Sequence, residues 1–250
     1  MGIKVNQLSA TRGEKTAVSS PLAPRAEVGL RGYRVIDPER SAARRREILH
    51  AAARVFATRG YYPSTTDDIA RAMGVTKGVI YYYFRSKEEI YFEVVSTAVE
   101  GALRRLEVIV AERAAAVETL HSAVTDLVTY NLSEHEEGYY GMLVIHDMRA
   151  LSPENLTHVH GLQRSYRALF VDIIRRGIEE GVFVDREAGV AANAMLNASN
   201  YVSDWFRPSG RLSVAEVARQ IADQLVRSVL LPESLVEFVR RHPVPVRSAR

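Results

Sequence analysis

Two hundred and fifty residues, 47% apolar and 25% charged, suffice for one large or two small domains with a proper core, which excludes fibrous, collagen-like and wholly disordered chains. No cysteine is present, so disulfides, a thiolate nucleophile, an iron–sulfur cluster and a cysteine-type zinc site are excluded; a metal would have to use the seven histidines or the carboxylates. The net charge of +3 is mild, but residues 1–105 hold 18 Lys+Arg against 11 Asp+Glu while residues 106–250 hold 15 against 19, the footprint of a nucleic-acid-binding half joined to a half with another task.

Residues 1–38 are rich in Ser, Pro, Gly and Ala without a helical or strand period and read as a mobile tail. They lack the apolar run of about 7–15 residues that marks a secretory signal, and no run of about 18 apolar residues occurs anywhere, so a cytoplasmic protein is expected. Order is expected to begin near Asp37, beside Arg40, Arg44, Arg45 and Arg46, which form either a solvated first turn or a phosphate-contacting arm. Ile48, Leu49, Ala52, Val55 and Phe56 recur at helical spacing until Gly60, read as a left-handed cap. Thr66 with Asp67 and Asp68 predicts the capped start of a second short helix that Gly74 breaks. A third runs from Thr76 to Phe84, and Ser86 followed by Lys87, Glu88 and Glu89 opens a long fourth.

Further helices are predicted near 115–134, 139–150, 153–181, 185–206 and 212–231, punctuated by Gly138, Pro153, Gly181 and the Arg207–Gly210 turn. There is no strand signal and no internal repeat. The expected fold is all-α: a three-helix, homeodomain-like helix-turn-helix head on a C-terminal bundle of about six helices.

The informative stretch is TTDDIARAMGVTKGVIYYYFRSKEEIY, Thr65 to Tyr91. Ile69, Ala70, Met73, Val75 and Ile80 supply a buried face, leaving Thr76, Lys77, Gly78, Val79, Tyr81, Tyr82 and Tyr83 for a helix that can enter a DNA major groove. Gly78 lets the backbone approach the bases, Lys77 can donate to guanine O6 or N7, and phenol groups and Lys87 can reach phosphates. Any one of the three tyrosines could instead pack between helices. Two of only four lysines fall within these residues of an otherwise arginine-using chain, which suggests that a compact ammonium is wanted at Lys77 and Lys87.

At these residues the chain resembles the TetR family of transcriptional regulators. The resemblance rests on Ile48, Ala51, Ala52, Phe56, Gly60 and Tyr61; on Thr65, Thr66, Ile69, Ala70, Gly74 and Val75; and on Lys77, Gly78, Tyr81, Tyr82, Phe84, Lys87 and Glu88. It implies a homodimeric DNA-binding protein with an effector pocket in its C-terminal bundle: head at 39–90, effector-binding and dimerisation domain at 91–232, flexible tail at 233–250. Carried over by residue, Thr66 would cap the second helix and touch a phosphate, Tyr81 and Tyr82 would lie on the DNA backbone, and Lys87 would anchor a phosphate. Tyr83 stands where the family commonly has His. With Arg44, Arg45, Thr65, Thr76, Lys77, Gly78 and Val79 these residues make the expected DNA-binding set.

Two further stretches, around Leu151, Ser152, Pro153 and Glu154 and around Trp205, Arg207 and Pro208, are similar to a TetR subgroup that regulates fatty-acid and sterol-fragment catabolism, implying an acyl-CoA or related hydrophobic effector. Asn193, Asn197, Tyr201 and Trp205 follow at four-residue steps, a mixed polar and aromatic stripe that borders either a ligand cavity or a dimer interface. Tyr139, Met142, His146, Arg149, Tyr166, Phe170 and Ile174 complete the expected cavity. Ala191, Ala194 and Ala198, with Val217, Ile221 and Leu225 on the last long helix, predict a two-fold four-helix interface, and hence a pseudo-palindromic operator.

An enzyme is the poorer alternative. His158 and His160 point ~200° apart on a helix and cannot share a ligand face, no catalytic fingerprint is present, and no metal site or cofactor is expected. An effector-independent architectural DNA-binding protein is the other alternative, against which the acidic bundle speaks.

Overall fold

The computed structural model describes residues 37–133 and 148–243, and within them every regular element is helical apart from an isolated bridge between Phe183 and Leu230. Helix α1 (Pro38–Arg59) starts on Asp37, whose carboxylate accepts from the Glu39 amide at 3.0 Å, with Pro38 in the first turn where its missing N–H costs nothing. It stops at Gly60, whose φ of 81° favours a residue without a side chain; its ψ of 161° leads into an extended path rather than the left-handed helical cap expected. Helix α2 (Thr66–Ala72) is capped one residue earlier than expected. Thr65, not Thr66, accepts from the Asp68 amide, and the Asp68 carboxylate returns to the Thr65 N–H at 3.0 Å, a complete capping box. Gly74, at φ 65°, turns the chain into α3 (Lys77–Tyr83), and Ser86 caps α4 (Lys87–Ala111) by accepting from Glu89.

The head does not close its own core. Ile48, Ala52, Phe56, Ile69, Ile80 and Phe84 are fully buried, and the same cluster runs on through Ile90, Tyr91, Val94 and Val95 of α4 to Leu151 and Val159 near the start of α6 (Pro153–Glu179). A second core lies among α5 (Ala116–Leu132), α6, α7 (Ala188–Asn200), α8 (Val202–Trp205), α9 (Val214–Arg227) and α10 (Pro232–Arg241). In it α9 lies along α5, and α6 runs between α4 and α7. Gly177 of α6 seats the buried Phe183 ring: a β-carbon there would lie 2.0 Å from it. Seven helices, one of only four residues, thus form the body among the described residues.

Three sequence expectations change. The helix expected at 185–206 breaks at Tyr201 (φ −84°, ψ 8°), giving α7 and α8. The tail expected from 233 is helical to Arg241, because Pro232 starts a helix on which Leu235 and Phe238 turn one apolar side to the body core. Of the helix expected at 139–150, residues 139–147 lie outside the described residues, and Met148–Ala150 form a 3-10 turn.

Candidate functional site

On α3 the fully buried Ile80 fixes which side faces outward. Lys77, Gly78, Tyr81 and Tyr82 are exposed, with Val79 and Tyr83 half-buried beside them. Thr76 precedes the helix with no side-chain cap bond. Thr66 is buried beneath this surface, with its hydroxyl 3.2 Å from the Tyr81 phenol oxygen. The Tyr82 and Tyr83 rings meet edge to face at 4.9 Å. A β-carbon on Gly78 would meet only Thr76 Oγ1, at 3.8 Å, so nothing in the fold itself demands glycine there. Lys77 Nζ pairs with Asp67 at 2.9 Å, and that hydrogen bond raises its pKa; both groups are half exposed, an ion pair easily exchanged for a phosphate or base.

Two cations expected on this surface point inward. The Lys87 ammonium donates to the backbone carbonyls of Ser64 (2.9 Å), Tyr61 (3.0 Å) and Tyr62 (3.4 Å) and lies 4.0 Å above the Tyr61 ring; burial lowers its pKa. Arg45 donates through Nε to Glu93 (3.0 Å), also pairs with Glu93 through its terminal nitrogen, donates to the Tyr83 carbonyl (2.5 Å) and stacks on Phe84. Within the chain these donors tie α1 and the α1–α2 turn to α4, and a phosphate contact by Lys87 or Arg45 would compete with those bonds. Arg44 forms an exposed pair with Glu47 on the same helix.

A second site opens where the two cores part. A cavity of about 250 Å³ is walled by Ala98, Val99 and Ala102 of α4, Leu127, Tyr130 and Asn131 of α5, Gln163, Tyr166 and Arg167 of α6, and Asn193, Leu196, Asn197 and Asn200 of α7. Its apolar floor is small and aromatic side chains; its polar rim is four amide side chains on α6 and α7 with one guanidinium. Arg167 is held by Asn193 Oδ1 (2.6 Å) and the Gly189 carbonyl (3.1 Å), while Asn131 donates to the Ser199 carbonyl at 3.2 Å and so joins α5 to α7. Burial pushes the Tyr166 phenol well above its ordinary pKa, with Asp126 adding to the effect, so it stays neutral.

Of the expected ligand residues, Tyr166, Asn193 and Asn197 line this cavity. Phe170 and Ile174 are corrected to core residues: both are wholly enclosed by neighbouring helices. Tyr201, at the break, and Trp205, on α8, are exposed on the surface, and Arg149 is exposed on its 3-10 turn. Tyr139, Met142 and His146 lie outside the described residues. The walls from α4 and α5 are not among the expected residues; Ala98, Ala102 and Leu127 carry no signal in sequence that separates a cavity wall from a core.

Val190, Ala194 and Ala198 are exposed on α7, as are Tyr201 at its end and Trp205 on α8. Ala191, Ile221 and Leu225 are half-buried against the body core, whereas Val217 is sealed inside it and is withdrawn from the expected interface. His158 packs edge to face on Phe92. Among the described residues a different group, His121, Asp223 and His242, brings potential metal-ligand atoms within 4.8 Å of one another. No helix among them is long and apolar enough to cross a membrane.

Comparison with known proteins places these two sites in context. Residues 48–94 match the family model for bacterial regulatory proteins of the tetR family, and residues 113–229 match the tetracyclin repressor-like C-terminal domain. The TetR family transcriptional regulator PfmR from Thermus thermophilus is 32% identical, with a TM-score of 0.66 over 72% of this chain and 97% of PfmR. The HTH-type transcriptional repressor KstR2 of Mycobacterium tuberculosis is 28% identical over 179 residues, 71% of this chain and 88% of the relative. AibR, solved in complex with isovaleryl coenzyme A and operator DNA, shares the fold at 23% identity, with a TM-score of 0.66 over 75% of this chain and 98% of AibR. With the helix-turn-helix head and the helical body both matched, the chain belongs to the TetR family of bacterial transcriptional regulators.

Proposed function

We propose that this TetR-type regulator is a cytoplasmic homodimeric repressor that binds a pseudo-palindromic operator through Thr76, Lys77, Gly78, Val79, Tyr81, Tyr82 and Tyr83, and is released when a hydrophobic effector enters the cavity between α4 and α7. The observation that carries this reading is the position of the cavity: its α4 wall, Ala98 to Ala102, belongs to the helix whose first half completes the core of the head. A ligand that prefers one placement of α4 therefore has a direct mechanical route to the recognition helix.

The lining supports a class of effector. About 250 Å³ is close to the lower end of the ~300–1,000 Å³ usual for small-molecule sites, enough for an acyl or ring fragment and too little for a whole coenzyme. The amide and Arg167 rim offers donors to a thioester carbonyl and to the polar remainder outside. An acyl-CoA thioester of lipid breakdown matches this division, and the resemblance of the Leu151–Glu154 and Trp205–Pro208 stretches supports it. KstR2 is named a repressor and a ketosteroid regulator, which favours repression over activation. The exposed strip Val190, Ala194, Ala198, Tyr201 and Trp205, with Ala191, Ile221 and Leu225 at its edge, supplies the surface for a two-fold partner.

Footprinting on the protein's own promoter, followed by titration with acyl-CoAs of graded chain length, tests the whole reading. A protected palindrome that is released by one class of thioester is expected, and Gln163→Phe, which fills the cavity, should keep the footprint and lose the release. Absence of any protected palindrome would sink the operator reading; a footprint that no thioester disturbs would sink the effector reading alone.

A further inference from the structure

At the far end of the body from the head-side core, three elements converge on one carboxylate. Asp223 on α9 is buried, and its two oxygens face different partners. Oδ2 lies 3.4 Å from the Arg219 guanidinium one turn earlier. Oδ1 lies 3.0 Å from His121 Nε2 on α5 and 3.9 Å from His242 Nδ1 at the C-terminal end of α10. The two imidazole rings lie 4.4 Å apart, and Phe238 of α10 stacks on the His242 ring at 4.4 Å, which fixes its plane.

We propose that His121, Asp223 and His242 form a three-ligand site for a divalent transition-metal ion of the zinc class, which fastens α10 to α5 and α9. Metal–nitrogen and metal–oxygen bonds of about 2.0–2.1 Å at tetrahedral angles put ligand atoms about 3.3 Å apart. The observed separations of 3.0 and 3.9 Å from Asp223 Oδ1 bracket that value, and all three ligand atoms lie within 4.8 Å of one another, so the site closes if side-chain rotation draws the His242 ring inward. Arg219 would keep hold of the second carboxylate oxygen, the supporting contact that metal-bound carboxylates usually have. Two imidazoles with a single carboxylate select nitrogen-favouring ions such as zinc or cobalt over magnesium and calcium, which need several oxygens. Three protein ligands leave a fourth position for water.

The site has a structural consequence. Helix α10 is anchored by Phe238 and Leu235, by the Arg241–Glu118 pair at 2.5 Å and by the His242 contact, while Val236 and Val239 on it stay exposed. A metal bridge from the residue that ends it to α5 and α9 would convert a terminal helix held by few side chains into a fixed part of the body.

The test uses the full chain, stripped of metal and titrated with zinc against a chromophoric chelator and with cobalt under visible absorption. One zinc per chain is expected, with cobalt bands of a nitrogen-ligated site and protection of the bond following α10 from protease. His121→Gln and His242→Gln, which retain hydrogen-bonding capacity toward Asp223, should each weaken zinc binding by more than the roughly 10–100-fold that loss of an outer-shell partner costs, while His160→Gln on the exposed face of α6 leaves it unchanged. Circular dichroism verifies that each variant folds. Zinc binding that is as tight in His242→Gln as in the parent, or no stoichiometric binding by the parent, would overturn the proposal and leave the cluster a hydrogen-bonded histidine–aspartate contact.

Discussion

Lys87 separates two roles that sequence alone treats as one. If its ammonium is a structural tie, as the three carbonyl contacts indicate, then Lys87→Met acts on stability and leaves the electrostatics of DNA binding alone. Hydrogen bonds to a charged group are worth about 1.5–3 kcal/mol each. Here three share one ammonium that is only partly shielded from water, so they do not add, and solvent takes back part of the loss. A net destabilisation of about 2–3 kcal/mol follows, or a fall in Tm of roughly 5–10 °C for a body of this size. Lys87→Arg should recover little, since a planar fork cannot direct its N–H groups at three carbonyls arranged around one point. Urea unfolding measures the first quantity; operator binding by anisotropy at several salt concentrations measures the second, because each lost phosphate contact lowers the salt slope by about 0.9. Unchanged stability together with a slope reduced by about that amount for each head would refute the reasoning and return Lys87 to the phosphate backbone.

Gly78→Ala should raise stability by about 0.5–1 kcal/mol, because alanine suits a helix better and its β-carbon finds open space. Operator affinity of the same variant should fall at least tenfold if the recognition helix approaches DNA closely at that point, and full retention of binding would count against the proposed docking. Gly177→Ala should destabilise despite the same helical preference: the Phe183 ring at 2.0–2.8 Å is fully buried and has nowhere to move, and overpacking of this kind costs about 1–3 kcal/mol; an unchanged or higher Tm would contradict the close packing. Glu88 accepts from the Ser152 N–H (3.0 Å) and from Asn155 (2.7 Å), and these bonds, the Ser152 amide foremost, lower its pKa. A carboxylate depressed on folding contributes stability that is present above its unfolded value near ~4.3 and is lost as pH falls through the folded value. The stability gap between parent and Glu88→Gln should therefore close on acidification through that window in urea titrations at stepped pH, and a gap independent of pH would be the wrong result.

The parts of the molecule legible in sequence are those governed by neighbours a few residues away. Ser86 caps the helix it precedes, Pro153 opens α6, and Gly74 makes the helix-turn-helix corner, each for a local backbone reason. The pattern Pro232, Leu235, Phe238 is equally local, but it is too short to stand out from a polar tail. What escapes depends on distant chain. Nothing near Lys87 indicates that carbonyls 23 to 26 residues earlier fold back around it, and nothing near Arg45 points to Glu93. The cavity is a similar case: Ala98, Val99, Ala102 and Leu127 in its α4 and α5 walls are small or aliphatic residues whose neighbours alone decide whether they enclose space or fill it. Of the Asn193–Trp205 stripe only Asn193 and Asn197, on α7, reach the cavity, while Tyr201 at the break and Trp205 on α8 lie on the surface, a division that four-residue spacing alone does not show.

Helix α4 is where the two halves of the charge-split sequence meet. Within its first two turns Lys87 grips the α1–α2 turn, Glu88 caps the start of α6, and Glu89 and Glu93 face Arg45 of α1. Three turns on, Ala98, Val99 and Ala102 wall the cavity, about 22 Å along the helix from Lys87 to Ala102. Ile90 to Val95 pack in the core that α4 shares with the head and with Leu151 and Val159 at the start of α6, so on the proposed reading a displacement of α4 at the cavity is transmitted to the recognition helix. The Glu88 bonds to Ser152 and Asn155 are the polar part of the contact between α4 and the start of α6. A ligand can shift this balance by no more than its preference for one placement over the other, about 1–3 kcal/mol in typical cases. Loss of a charge-assisted contact such as the part-buried Glu88 bonds is of the same order, so if an effector acts through α4 as proposed, keeping or breaking them would be enough to bias the balance.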